Sequence, residues 1–355
     1  MKIDVLSEIQ DPRPWDGGHE HRRIVQTLEQ AELADELGYA SWWQVERHGA
    51  EELSLSSAPE LLLTAISQRT RRIRLGHSAV LAPYRVNHPI RVAERAALLD
   101  HLSEGRLELG LARPSAPECR AFNVDPDQAR EQLHQALEMI PTMWTCERFS
   151  WKSRHLEIQD VAVVPRPHQR PHPPLWLECT SPASFVEAGH LGVGALGTGL
   201  WASRAQVRNM VSLYRRAIRE CSRPVGEFVN DQVAFLVLAH CADSDEEAKR
   251  AGALHAAAWY ARTASAALEA EDRFLQPPDW DALGGQDSIV VGGQETCLRE
   301  LAAFAELGVD RLLTLHQLGP LPHQAVLRSI RRLGALVPEL DGGGGGAPAP
   351  PPPVT

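Results

Sequence analysis

Four short stretches hold the residues best suited to chemistry. In GRLELGLARPSAPECRAFNVD (Gly105–Asp125), Arg113 directly follows an apolar run, and Arg130 follows within the next helical pattern. Two guanidinium groups can clamp a phosphate bidentately. In LECTSPASF, Thr180 or Ser181 can cap a helix whose free N–H groups attract an anion. Together they form a phosphate cradle, although Ser181 acting only as a cap and Arg113 pairing with Glu118 fits equally well. WWQVERHG gathers Glu46, Arg47 and His48. His48 can move protons near neutral pH, and Glu46 and Arg47 can form a plain ion pair. In GHSAVLAP, the small Ser78 and Ala79 either admit a planar ring or simply pack a strand tightly.

Other chemistries lack their residues. Six cysteines (Cys119, Cys146, Cys179, Cys221, Cys241, Cys297) contain no CxxC pair and read as free thiols, and the 15 histidines show no zinc-like spacing, so no metal site is expected. There is no GxSxG elbow, P-loop or convincing Ser/His/Asp order. Nine tryptophans are many for this length; Trp42, Trp43 and Trp201 lie near expected strand ends, where they line a pocket or pack the core.

Elements that position these stretches follow from the apolar pattern. Strands are expected at Ile3–Ser7, Ala40–Val45, Ile73–Val80, Leu107–Leu111, Leu175–Cys179, Val193–Leu196, Val233–Ala239 and Arg311–Leu315. Helical patterns such as RIVQTLEQAELADEL and IRVAERAALLDHL alternate with them. Eight strands alternating with helices give an α/β fold, a (β/α)₈ TIM barrel. The alternative is a doubly wound sheet, but no GxGxxG follows the first strand. Excursions at about 145–173 and 255–295 are insertions after strands 4 and 7. Gly284, Gly285, Gly292 and Gly293 suit either a mobile lid or static turns there. In a barrel, all four stretches fall at C-terminal strand ends, where chemistry resides. The barrel domain spans 1–340, and the Gly/Pro-rich tail 341–355 cannot bury enough apolar surface to order itself.

The 355 residues carry a net charge of -10, with a pI near 5.8. That balance argues against nucleic acid and anionic membranes as partners. No apolar run nears the roughly 20 residues that span a bilayer, and MKIDVLSEIQ is not a secretory signal. A cytoplasmic location is expected.

Five segments in register resemble the bacterial luciferase-like flavin-dependent monooxygenases: EQAELADELGYASWWQVERHG, RIRLGHSAVLAPYRVNHPIRVAERAALLDHLSEGRLELG, FNVDPDQAREQLHQALEMIPTMW, VVPRPHQRPHPPLWLECTSPASFVEAGHLGVGAL and VVGGQETCLRELAAFAELGVDRLLTL. The resemblance implies reduced FMN from a separate flavin reductase, molecular oxygen, and a small apolar or amphipathic organic substrate of the natural-product tailoring kind. By position, Arg113 and Arg130 match phosphate-binding arginines. Glu178, Cys179 and Ser181 match further phosphate contacts. Ser78–Ala79 matches a small pair, often joined by a non-proline cis peptide, against which the flavin lies. Glu46, Arg47 and His48 match the catalytic loop.

The chain also departs from that pattern. Arg47 replaces the first of two histidines, leaving His48 as the candidate for proton transfer and Arg47 to stabilise an anion or recognise an acidic substrate. Ala112-Arg113-Pro114 replaces Gly–Arg–Gly, and Asn123 replaces a glycine. Pro114 offers no N–H, a loss of about 1–3 kcal/mol. Asn123 tolerates left-handed backbone. A remodelled, weaker flavin site is expected. Alternatives are a deazaflavin-dependent oxidoreductase or a non-catalytic partner subunit. Relatives pair as dimers, so a homodimer, or a heterodimer with a paralogue, is expected.

Overall fold

The computed structural model describes residues 1–197, 202–269 and 287–341. All eight expected strands form: β1 (Lys2–Ser7), β2 (Ser41–Gln44), β3 (Arg74–Leu81), β4 (Leu107–Ala112), β7 (Leu175–Cys179), β8 (Gly194–Gly197), β9 (Val233–Cys241) and β11 (Arg311–Leu315). They pair in parallel in that order, and β11 closes the ring on β1 with Ile3 opposite Leu312. The fold is a (β/α)₈ barrel. Every residue of β9 is buried, as expected for a strand covered by helices outside and by side chains within.

Three strands lie beyond the ring. β5 (Phe149–Lys152) and β6 (Glu157–Val161) form an antiparallel hairpin inside the excursion after β4. β10 (Ile289–Gly292) pairs with the upper part of β9, at the end of the excursion after the seventh barrel strand. The tail beyond Asp341 lies outside the described residues, as do Trp201, Gly284 and Gly285.

The helices that matter for the site are α1 (His19–Leu37), α2 (Pro59–Arg69), α3 (Pro89–Leu102), α4 (Ala116–Ala121), α5 (Pro126–Thr145), α6 (Pro182–Leu191), α7 (Arg204–Glu220), α8 (Asp245–Arg250), α9 (Ala253–Leu268), α10 (Gln294–Ala305) and α11 (His323–Gly334). Their ends are written in the sequence. Asp125 accepts from Asp127 N–H to start α5, and Gly38 and Gly192 adopt left-handed backbone to end α1 and α6. Among the described residues no helix is long and apolar enough to cross a membrane.

The lower barrel is plugged by polar and aromatic side chains. Trp43 Nε1–H donates to Asp4 Oδ2 at 2.8 Å, and Trp176 Nε1–H donates to Glu108 Oε2 at 2.7 Å. Arg311 Nε donates to the same Asp4 oxygen at 2.7 Å and lies 3.6 Å from Glu108. The Trp43 and Trp176 rings meet edge-on at 5.4 Å, although β2 and β7 are separated by two strands, so both point into the barrel. Glycine makes their room: a Cβ on Gly76 would lie 2.0 Å from the Trp43 ring, and one on Gly194 would lie 2.3 Å from Trp176. Trp42 and Trp43 are fully buried, so the reading of them as pocket-lining aromatics gives way to core packing.

Strand side chains alternate faces with period two. Trp176 in the lower layer therefore puts Glu178 on the same inward column of β7, and Glu8 and Arg47, just beyond β1 and β2, lie close to it.

Candidate active site

Glu46, just past β2, is a hub. Its carboxylate accepts from Asn87 Nδ2 at 2.8 Å and from Leu81 N–H at 3.1 Å. His48 Nε2 lies 3.2 Å from Oε1, and His77 Nε2 lies 3.5 Å from Oε2. Burial alone would push this carboxyl up, but His48, His77 and Asn87 outweigh burial and hold it at about 2. Glu46 in turn lifts the pKa of His48. Glu46 thus pairs with histidines and not with Arg47.

Arg47 points elsewhere. Its guanidinium lies 3.8 Å from Glu118 Oε2 on α4. Burial disfavours its charge, and Glu118, Glu8 and Glu178 more than restore it. Glu118 is 1 % exposed and also accepts from His48 N–H at 3.0 Å and Ser115 N–H at 2.8 Å. It therefore ties the β2 loop to α4 and is not the partner of Arg113. Glu8, just past β1, is fully buried beside Arg47, Glu178 and the Tyr260 hydroxyl of α9. Burial raises its carboxyl to about 7 despite Arg47.

At the other side of the mouth, Arg113 follows β4, exposed and without an ion pair among the described residues. Arg130 on α5, itself exposed, lies 3.1 Å from the half-buried Glu187 of α6, which also pairs with His134. Ser181 caps α6, and Ser184 reciprocates. Cys179 is wholly buried, donating to Leu177 and Ser184 carbonyls at 3.3 Å, and burial drives its thiol well above the ordinary range. Its side chain belongs to the strand–helix packing and leaves only its backbone for a ligand. Glu178 faces the barrel axis with Arg47, which leaves its carboxylate with the central cluster. Asn123 is left-handed, with φ 52°, as an asparagine in a glycine's place allows.

The Ser78–Ala79 peptide bond is cis. Gly110 of β4 lies behind it; a Cβ there would lie 2.7 Å from the His77 carbonyl and 3.3 Å from Ala79 Cβ. A separate pocket of about 300 Å³ lies between the β3–α3 loop and the α4–α5 turn, lined by Arg85, Asn123, Val124, Asp125, Gln128 and Gln132. Gly292 ends β10 and Gly293 caps α10: Gly293 N–H donates to Asp245 at 2.7 Å, and a Gly292 Cβ would collide with that carboxylate.

The sequence reading missed Glu8, His77, Asn87 and Tyr260. Glu8 carried one usable signal, standing directly after the last residue of an apolar strand at the end where chemistry resides. Tyr260 carried none, because its helix lies within an excursion. Among the described residues no group of three or more His, Cys, Asp or Glu is placed to hold a metal ion.

The chain matches the luciferase-like monooxygenase family over residues 7–311. It is 32 % identical over 225 residues to 4-hydroxyprotoasukamycin monooxygenase of Streptomyces nodosus subsp. asukaensis, covering 62 % of this chain and 60 % of that protein. The match thus spans about three fifths of that relative's length. The crystal structure of monooxygenase RslO1 from Streptomyces bottropensis superposes with a TM-score of 0.84 at 26 % identity, over 96 % of this chain and 99 % of that one. The oxygenating constituent of 3,6-diketocamphane monooxygenase from Pseudomonas putida, solved with FMN, shares the fold at 18 % identity, with a TM-score of 0.76 over 96 % and 98 % of the two chains. With its closed parallel barrel and its match over most of its length, this chain belongs to the luciferase-like monooxygenase family.

Proposed function

We propose that the protein is the oxygenase of a two-component system. It takes reduced FMN from a separate reductase and inserts one atom of oxygen into an apolar or amphipathic organic substrate of secondary metabolism. The other oxygen atom leaves as water. The reaction runs in the cytoplasm, where reductase and NAD(P)H are at hand. The observation that carries this reading is Arg113, an exposed cation with no ion-pair partner among the described residues, at the end of the strand beside β7 and the capped start of α6.

The residues fit the cofactor. Arg113 and Arg130 would hold the phosphate with the α6 N-terminus; Arg130 is itself largely exposed, and its partner Glu187 keeps His134 as a second partner when Arg130 turns to the phosphate. Ser78 and Ala79 would wall the ring. When bound, the reduced flavin supplies the electrons that activate oxygen. Glu46 fixes the Leu81 backbone and Asn87 behind that wall, while Arg47 keeps a cation at the barrel axis. Missing the Pro114 N–H, the site binds flavin more weakly than a glycine version would.

Anaerobic titration with reduced FMN, oxidised FMN, riboflavin and a deazaflavin tests this. Reduced FMN is expected to bind at micromolar or better, and riboflavin more weakly. Binding of the deazaflavin alone would replace oxygenation with hydride transfer. Failure of all four, with co-purification of a paralogue, would make the chain a supporting subunit.

We also infer a dimer through α2 and α3. Leu61 is 71 % exposed, Leu98 53 % and Leu102 43 %. Arg95–Glu60 and Gln68–Leu102 contacts hold the two helices side by side, so these leucines form one apolar face.

A further inference from the structure

Glu8 and Arg47 meet in the upper interior layer of the barrel, above the plug of Asp4, Trp43 and Trp176. Both carry a buried polar atom with no hydrogen-bond partner among the described residues: Glu8 Oε2 and Arg47 Nε. The charged and titratable groups described around Glu8 are Arg47 from the β2 loop, Glu178 from β7 and Tyr260 from α9, with Glu118 of α4 behind Arg47. Leaving a buried donor and a buried acceptor unmade is costly, so their joint presence at the chemical end of the barrel calls for a ligand that satisfies both.

The charge balance narrows that ligand. Three carboxylates (Glu8, Glu118 and Glu178) surround the one guanidinium of Arg47, which disfavours a carboxylate or phosphate substrate. A single hydroxyl fits better. It offers both missing partners at once, an O–H to donate to a carboxylate and an oxygen to accept from a guanidinium N–H. His48 is unsuited to this work because Glu46 holds it as an ion pair.

We propose that the substrate carries a phenolic or enolic hydroxyl, that Glu8 is the general base that takes its proton, and that Arg47 holds the resulting oxyanion. The O–H bond breaks, the proton bonds to Glu8 Oε2, and the electron pair stays on the substrate oxygen. That charge makes the adjoining ring or α-carbon a nucleophile toward electrophilic oxygen. Glu8 returns the proton as product leaves, so the step consumes no co-reactant. Burial, which lifts Glu8 to about 7, makes it a stronger base than a surface carboxylate. The fate of the oxyanion rests on the monooxygenase reading; its formation does not.

The test therefore leaves flavin out. The full chain is titrated with 4-nitrophenol at about pH 7, where Glu8 is partly ionised and free to take a proton and where the visible absorbance of the phenolate reports it. 4-Nitroanisole, which has no ionisable hydroxyl, is the control. Wild type and Glu8→Asp are expected to bind the dye enriched in phenolate. Glu8→Gln should bind it as neutral phenol, and Arg47→Met should bind it about tenfold more weakly. Thermal melting confirms that each variant is folded. The proposal is overturned by an unchanged phenolate fraction in Glu8→Gln, by equal binding of 4-nitroanisole, or by no binding of 4-nitrophenol to the wild type. Failure of the FMN titration leaves each of these outcomes readable.

Discussion

His48 Nε2 lies 3.2 Å from Glu46 Oε1, inside a buried cluster that also holds Asn87 and His77. Each partner stabilises the other's charge. Glu46 is held at about 2, below its unfolded value, so its contribution is present above about pH 4.5 and fades as pH falls toward 2. His48 is raised, so its contribution is present below about pH 6.5 and fades as pH rises through its folded value. The pair is strongest between those limits. NMR titration of His48 should show a raised pKa in the wild type, falling toward the ordinary value in Glu46→Gln. Glu46→Ala should cost about 3–5 kcal/mol in urea unfolding, since it strips the buried His77, Asn87 and Leu81 N–H of their shared partner as well as His48. An unmoved His48 titration in Glu46→Gln would refute the pairing.

A buried neutral histidine gives the opposite pH trend. His316 is wholly enclosed, hydrogen-bonded to Ser329 at 2.9 Å and Thr314 at 3.1 Å, and burial holds it at about 3. The unfolded chain binds a proton there below about pH 6.5 and the folded chain does not, so stability falls as pH drops from 6.5. The expected slope is about 1.4 kcal/mol per pH unit for this group alone. His240, lowered to about 4 mainly by burial, adds to it over part of that range. Urea midpoints at several pH values should show the decline, and His316→Asn should remove roughly half of it. An identical slope in the variant would remove His316 as the cause.

The phosphate cradle makes a graded prediction. Arg113→Ala should weaken FMN binding about tenfold to a hundredfold by isothermal titration, the loss of one charge-assisted contact. Riboflavin, without phosphate, should bind both proteins alike. Pro114→Gly should tighten FMN. If Arg113→Ala weakens riboflavin as much as FMN, the arginine acts on the ring or the fold and not on phosphate.

Gly76 makes a prediction about folding. An alanine Cβ there would lie 2.0 Å from the rigid Trp43 ring, which is itself locked by Asp4 and Trp176. Gly76→Ala should lose more than about 3 kcal/mol, the upper end for ordinary overpacking. Gly76→Ala with Trp43→Leu should recover part of it. No rescue in the double variant would show that the glycine is needed for another reason.

The apolar face of α2 and α3 predicts assembly. Leu98→Glu should convert the dimer to monomer in light scattering with little change in thermal midpoint, because Leu98 is half exposed in the single chain. A wild-type monomer at the same concentration would exclude this interface.

By itself, the sequence determined the barrel. Its eight strands are apolar runs dense enough to be buried on both faces, and the helices between them carry 3.6-residue periodicity and legible caps. The hairpin of β5 and β6 escaped that reading because FSWK and EIQDV are short and mostly exposed, leaving little apolar signal. β10 escaped because it lies at the end of the excursion at about 255–295, outside the regular strand–helix alternation that marked the others. The positions of the chemical loops were also legible, since a barrel strand's C-terminal end fixes them.

Which side chain meets which was decided only by the tertiary structure. Glu118 reaches the His48 backbone across 70 residues, and this takes it away from Arg113, its neighbour in sequence. Glu46 pairs with His48 and His77 and not with the adjacent Arg47, whose guanidinium turns to Glu118 of α4. Glu8 is an ordinary carboxylate in the sequence. It becomes a group titrating near neutral pH only once the closed barrel removes water from around it, and desolvation is a property of the enclosing structure that no local run of residues encodes.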